Sequence, residues 1–148
     1  MSQIKWRLFN YWGPLLGAGI RMDRVSADYR EIDVSMRLRF YNRNYVGTHY
    51  GGSLYSMTDP FYAVMLIENL GANYIVWDKA ANIRFVRPGR GRVFAKFCLA
   101  KDKLEEIKRE ADSGKSVEPE FTVQVFNQEG LLVAEVQKIL YVRKRNDR

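Results

Sequence analysis

The chain has 148 residues, 47% of them hydrophobic, with a formal net charge of +7 and a single cysteine, Cys98. That length and composition fit one globular domain over residues 1–148 and exclude low-complexity, collagen-like or disulfide-stapled chains. One thiol forms no internal disulfide, so a reducing compartment such as the cytoplasm is the expected location.

Residues 1–28 read as an N-terminal helical segment. Trp6, Phe9, Trp12, Leu15 and Leu16 fall near helical spacing, with Pro14 and nearby glycines limiting helix length. Arg7, Gly13 and Pro14 interrupt any secretory apolar region. From Glu31 the period becomes two: Val34, Met36, Leu38 and Phe40 face one way, Asp33, Ser35, Arg37 and Arg39 the other. The stretch "NRNYVGTHYGGSLYSMTDP", Asn42 to Pro60, follows and holds the only histidine, His49.

Next comes "GSLYSMTDPFYAVMLIENLG", apolar on nearly every side, which predicts a central helix buried all round. Its longest uncharged apolar stretch, Pro60 to Ile67, is far short of the roughly 20 residues of a membrane span. "NYIVWDKAANIRFVRPGRGRVFAKFCLA" predicts two strands joined at "PGRG". Ile75, Trp77, Ala81, Ile83 and Phe85 fall on one face, and Cys98 is a small core residue. Asp102 and Glu105 suit the cap of a surface helix, "KDKLEEIKREADSG". A closing hairpin turns at "NQEG", with Leu132, Ala134, Val136, Leu140 and Val142 facing the core, and residues 143–148 read as a basic tail. An antiparallel sheet wrapped around one apolar helix, in the α+β class, satisfies this order.

Positive charge gathers in "RFVRPGRGR" and "YVRKRNDR". Such an excess serves nucleic acid, acidic lipid, a phosphorylated small ligand, or simply a solvated surface. No zinc-ligand spacing, helix-turn-helix pattern or RNA-binding aromatic signature accompanies it, so no nucleic-acid partner is expected.

The order of elements and the motif N-x-x-G-T-x-x-G-G, at Asn44, Gly47, Thr48, Gly51 and Gly52 with Asp59 following, resemble the hotdog-fold acyl-CoA thioesterases. The likeness runs from about Arg30 onward and is greatest to a thioesterase-like branch designated a domain of unknown function. The resemblance implies a homodimer or a tetramer made of two dimers. It implies an acyl-CoA substrate, no cofactor and no metal. It also implies catalytic roles for Asp59, Gly51, Gly52, Asn44 and His49, with the backbone amides of the glycine turn gripping the thioester carbonyl. Tyr50 stands where such enzymes usually carry histidine, and His49 lies one residue earlier. Tyr50 and Thr48 would then line the substrate site, and Arg87 and Arg90 would hold coenzyme A phosphates.

Thioester hydrolysis needs an oxyanion site and an activated water. Unpaired amides at a helix start suit the first, and a carboxylate suits the second. On one continuous helix Gly51 and Asp59 would lie about 12 Å apart at roughly 1.5 Å per residue, so if both are catalytic the acid comes from a second subunit. Duller readings stand beside these. Asp59 before Pro60 is a good N-cap, with the helix starting there; alternatively the helix runs from Ser53 with a kink. In the same readings His49 is structural, Tyr50 a pocket plug, and the glycines a turn. The readings that follow are an acyl-CoA hydrolase, a non-catalytic acyl-CoA-binding or structural hotdog domain, and a hydratase using His49 as base.

Overall fold

The computed structural model describes residue 6 and residues 8–145. Helix α1 (Gly13–Ala18) precedes strands β1 (Ile20–Val25) and β2 (Glu31–Arg37). Helices α2 (Gly51–Ser56) and α3 (Phe61–Leu70) follow, then β3 (Tyr74–Phe85), β4 (Arg92–Cys98), α4 (Lys101–Asp112), β5 (Glu120–Asn127) and β6 (Leu132–Lys144). All six strands form one antiparallel sheet in the order β1-β2-β4-β5-β6-β3. Helix α3 lies on its inner face, where Phe61 and Tyr62 meet Phe97 at ring distances of 4.9 and 5.3 Å and Tyr62 stacks on Phe121 at 4.3 Å. Each such large buried side chain contributes about 1.5–3 kcal/mol.

The central helix is two helices, not one long rod. Pro60 has no N–H to give to Ser56, and two hydroxyls bond back to carbonyls: Thr58 Oγ1 to Tyr55 O at 2.7 Å and Ser56 Oγ to Gly52 O at 2.8 Å. The chain therefore turns at residues 57–60 before α3 starts. Pro60, not Asp59, takes the N-cap place, and no side chain caps the helix.

Other expectations need correction. The segment 1–28 is not wholly helical, because Ile20–Val25 is a strand paired with β2. At the other end, Arg143 and Lys144 belong to β6, while residues 146–148 of the expected tail lie outside the described residues. Strands β3 and β4 make no hairpin: β3 pairs only with β6, and β4 lies between β2 and β5. The intervening loop is tied to β6, with Val86 N and Arg87 N both donating to Val133 O. Phe40 lies beyond the end of β2 and is 83% exposed. Cys98 is also exposed, since Val93, Ala95 and Phe97 take the inward positions of β4. Helix α4 has Ala100 at its N-cap, which leaves Asp102 in the first turn.

Strand β3 changes face partway. Tyr74 and Val76 pack on the core, and the register then shifts between Asp78 and Ala80. Beyond that bulge the parity reverses, so Ile83 packs on the core. Trp77 lies outside and stacks on Tyr141 at 4.1 Å.

Helix α1 ends at Gly19, with φ +75°, where a Cβ would come within 2.7 Å of Asn42 Nδ2. Gly19→Ala should lower stability by about 2 kcal/mol through left-handed strain and loss of the Asn42 seat, measured by urea unfolding.

Candidate functional site

The loop before α2 is built around two asparagines. Asn42 Nδ2 donates to Ala18 O and Arg37 O, both at 2.9 Å, while its Oδ1 accepts from Arg39 N at 2.7 Å. Asn44 Oδ1 accepts from the amides of Val46 and Thr48, and its Nδ2 donates to Thr48 Oγ1 and His49 O. Gly47, with φ +81°, closes the turn between them. The Asn44 side chain is thus committed to holding the loop.

His49 is buried and anchored at two points. Its backbone N–H donates to Gly89 O at 2.9 Å, and Nε2 lies 2.9 Å from Gly91 O. A carbonyl oxygen only accepts, so the proton sits on Nε2, and the buried Nδ1 has no hydrogen-bond partner. Burial holds the imidazole below its ordinary pKa, only partly opposed by the bond to Gly91, which keeps the ring neutral near pH 7. Gly89 makes room for the ring, since a Cβ there would sit 3.2 Å from His49 Cδ2 and from Val133 Cγ1.

Helix α2 starts immediately afterwards. Ser53 N and Leu54 N donate to Tyr50 O, so the amides of Gly51 and Gly52 precede the first helical hydrogen bonds. Gly51 faces the ring of Phe85, which would lie 3.1 Å from any Cβ there, and the Tyr50 ring folds over Gly52. A cleft of about 360 Å³ opens at this point. It brings together Asn44, Thr48, His49, Gly51 and Arg87, walled by Leu54, Phe85 and Pro88. Gly52, Tyr50, Arg90 and Asp59 are not among its lining residues.

Asp59 belongs to a second cluster, at the break between α2 and α3. Its Oδ1 accepts from Tyr55 Oη at 2.8 Å and lies 3.2 Å from Lys138 Nζ, which also donates to Asp59 O. Lys138 has no exposed surface. Its ammonium also stands 2.8 Å from Asp78 Oδ1, off the angle of a hydrogen bond, and 5.8 Å from the centre of the Tyr55 ring. Burial pushes the Asp78 carboxyl up; Lys138 pulls it down, and Asp59 adds to the rise. The Tyr55 hydroxyl is raised by burial first and by the neighbouring Asp59 second. Both donors hold Oδ1, and the Asp59 side chain is 44% exposed.

Lys138, Asp78 and Tyr55 are the residues sequence reasoning missed. Lys138 was legible in principle: it occupies the inward slot between Val136 and Leu140 in an otherwise apolar alternation, and a lysine there demands an anionic partner. Asp78 was hidden because the half of β3 before the bulge buries Tyr74 and Val76, the parity opposite to the expected face.

Compared with solved structures, the chain has the thioesterase-like hotdog fold. A Pseudomonas aeruginosa protein of unknown function, described as a probable thioesterase, superposes with a TM-score of 0.86 at 18% identity, over 98% of this chain and 97% of that one. A thioesterase from Haemophilus influenzae gives 0.71 at 12% identity, over 100% and 94%. A mutant thioesterase from Pseudomonas aeruginosa gives 0.73 at 12%, over 97% and 95%. No curated protein matches the sequence. The sequence profile described as "Domain of unknown function (DUF4442)" matches residues 2–142.

Two outcomes follow from the site. Lys138→Met should cost about 3 kcal/mol in urea unfolding, because Asp78 and Asp59 lose their cation, whereas Asp59→Asn should cost less since Lys138 keeps Asp78. The depressed His49 pKa means that protonation favours the unfolded chain. Its contribution to stability is therefore complete above pH 6.5, the ordinary value, and is lost as pH falls below it, by up to about 1.4 kcal/mol per pH unit. Stability measured from pH 7.5 to 5 should decline less steeply in His49→Gln.

Proposed function

The chain belongs to the DUF4442 family, and on that footing we propose that it hydrolyses acyl-CoA or a related acyl thioester as a homodimer. The observation that carries this is the Gly51 amide, free of helical bonding, at a cleft whose other walls include Thr48, neutral His49 and Arg87. In this reading the thioester carbonyl oxygen takes the Gly51 and Gly52 amides, and Asn44 and His49 keep the turn rigid. Asp59 of the partner subunit takes a proton from water. The water oxygen then bonds to the carbonyl carbon, collapse of the oxyanion breaks the C–S bond, and Asp59 returns its proton to the departing thiolate, releasing the acid and the thiol.

Asp59 lies outside the cleft of its own chain, which supports an acid supplied across an interface. Strand β3 supports the same assembly: twelve residues long, it has a free edge and leaves Trp77 and Phe85 exposed. Arg87 at the rim and exposed Arg90 join no ion pair among the described residues, so both are available to coenzyme A phosphates. The second reading, a non-catalytic acyl-CoA-binding domain, draws on the Tyr50 ring that covers Gly52.

Steady-state assays over acyl-CoA chain lengths test the assignment. Asp59→Asn should lower kcat by about 10²- to 10⁴-fold with KM little changed. Arg87→Gln with Arg90→Gln should raise KM for acyl-CoA by about tenfold or more, while leaving thioesters without the nucleotide unaffected. Undiminished turnover by Asp59→Asn would remove the mechanism; a thermal upshift with acyl-CoA and no turnover in the native chain would favour the binding domain.

A further inference from the structure

The N-terminal part of the chain divides its charges unevenly. Met1 to Met22 and Val34 to Thr58 contain no Asp or Glu. The four acids between them are each paired with an arginine: Asp23 with Arg92 at 3.3 Å, Asp28 with Arg30 at 2.8 Å, and Glu31 and Asp33 with Arg24 at 2.8 and 2.7 Å. Arg37, Arg39 and Arg43 are exposed and join no ion pair among the described residues.

Large exposed side chains share that acid-free region. Tyr11, Trp12 and Leu16 of the α1 segment are 72%, 49% and 55% exposed, and Phe40 and Tyr41 are 83% and 53% exposed. Asn42 fastens the two groups together by bonding Ala18 O at the end of α1 and Arg37 O at the end of β2. Tyr41 Oη would lie 3.6 Å from a Cβ on Gly19, so its ring reaches the end of α1. The patch adjoins β1, the opposite edge of the sheet from β3.

We propose that this face docks on a membrane surface containing anionic lipid. Tyr and Trp have an apolar body and a polar tip, which suits them to the depth of lipid headgroups. Arginines without internal partners supply the attraction to lipid phosphates, and the acids of the adjoining β1 and β2 segments are each paired with an arginine, which limits repulsion. Clustered aromatic and aliphatic side chains beside arginine match a surface both apolar and anionic, whereas a nucleic-acid groove calls chiefly for charge. None of these side chains lines the cleft, although the Arg43 backbone is bridged to His49, and the test is read on vesicle binding rather than turnover.

The full-length chain is floated with vesicles of phosphatidylcholine alone and of phosphatidylcholine with phosphatidylglycerol in equal parts, at low and at physiological salt. Binding should require phosphatidylglycerol and weaken with salt. Arg37→Gln, Arg39→Gln and Arg43→Gln together should reduce partitioning by about 100-fold, and Trp12→Ser with Phe40→Ser should abolish it, while circular dichroism and thermal melting stay native. Three results would overturn the proposal: no binding to either vesicle by the native chain; capture by an oligonucleotide without capture by vesicles; or a fall in oligomer size in Trp12→Ser with Phe40→Ser, which would make the patch a subunit contact.

Discussion

A lysine ammonium withdrawn from water costs several kcal/mol unless anions and dipoles surround it, and Lys138 makes the rest of this fold answer to that requirement. Strand β6 delivers it to the inner face of the sheet. In β3 Asp78 faces inward with Tyr74 and Val76, as the last residue paired before the bulge, and meets it there, while the break between α2 and α3 presents the carbonyl and carboxylate of Asp59. An unbroken helix would have used that carbonyl in its own ladder. Residues of three elements thus converge on one ammonium, and among their products is an aspartate with one oxygen held by two donors.

The regular elements were legible because their side chains follow a single period. Val123 and Val125 in β5, and Ala134 and Val136 in β6, are buried beyond the "NQEG" turn, where Asn127 Oδ1 accepts the amides of Glu129 and Leu131. Apolar crowding in α3 likewise announced its burial. Legibility failed where a local geometric event reset the count. Beyond the bulge in β3, Ile83 packs inward as expected, but before it Tyr74 and Val76 do so in place of Ile75 and Trp77. In β1 a six-residue alternation, with Ile20 and Met22 buried, was too short to stand out from the aromatic segment before it.

Within the candidate site the same division holds. Asn44, Thr48 and Gly51 of the motif, with His49 between them, line one cleft because they lie close along one loop whose hydrogen bonds are local. Roles were harder to read, since they depend on distant backbone. His49 owes its tautomer to Gly91, forty-two positions away, and its space to Gly89. Arg87 reaches the cleft because the loop carrying it is bonded to Val133 rather than folded into a hairpin. No spacing rule along the chain contains those contacts.

The bulge at Lys79 gives strand β3 two reading frames. Residues before it and after it obey opposite parity, so the strand behaves as two half-strands spliced by a single unpaired position. Length changes on its two sides are consequently not equivalent. Removing one residue at the splice would force a choice between keeping Asp78 beside Lys138 and keeping Ile83 in the core, whereas a point substitution of the outward-facing Lys79 side chain leaves both intact. In lineages that share this fold, the bulge is therefore expected to be guarded more strictly against insertion and deletion than against exchange of residue type.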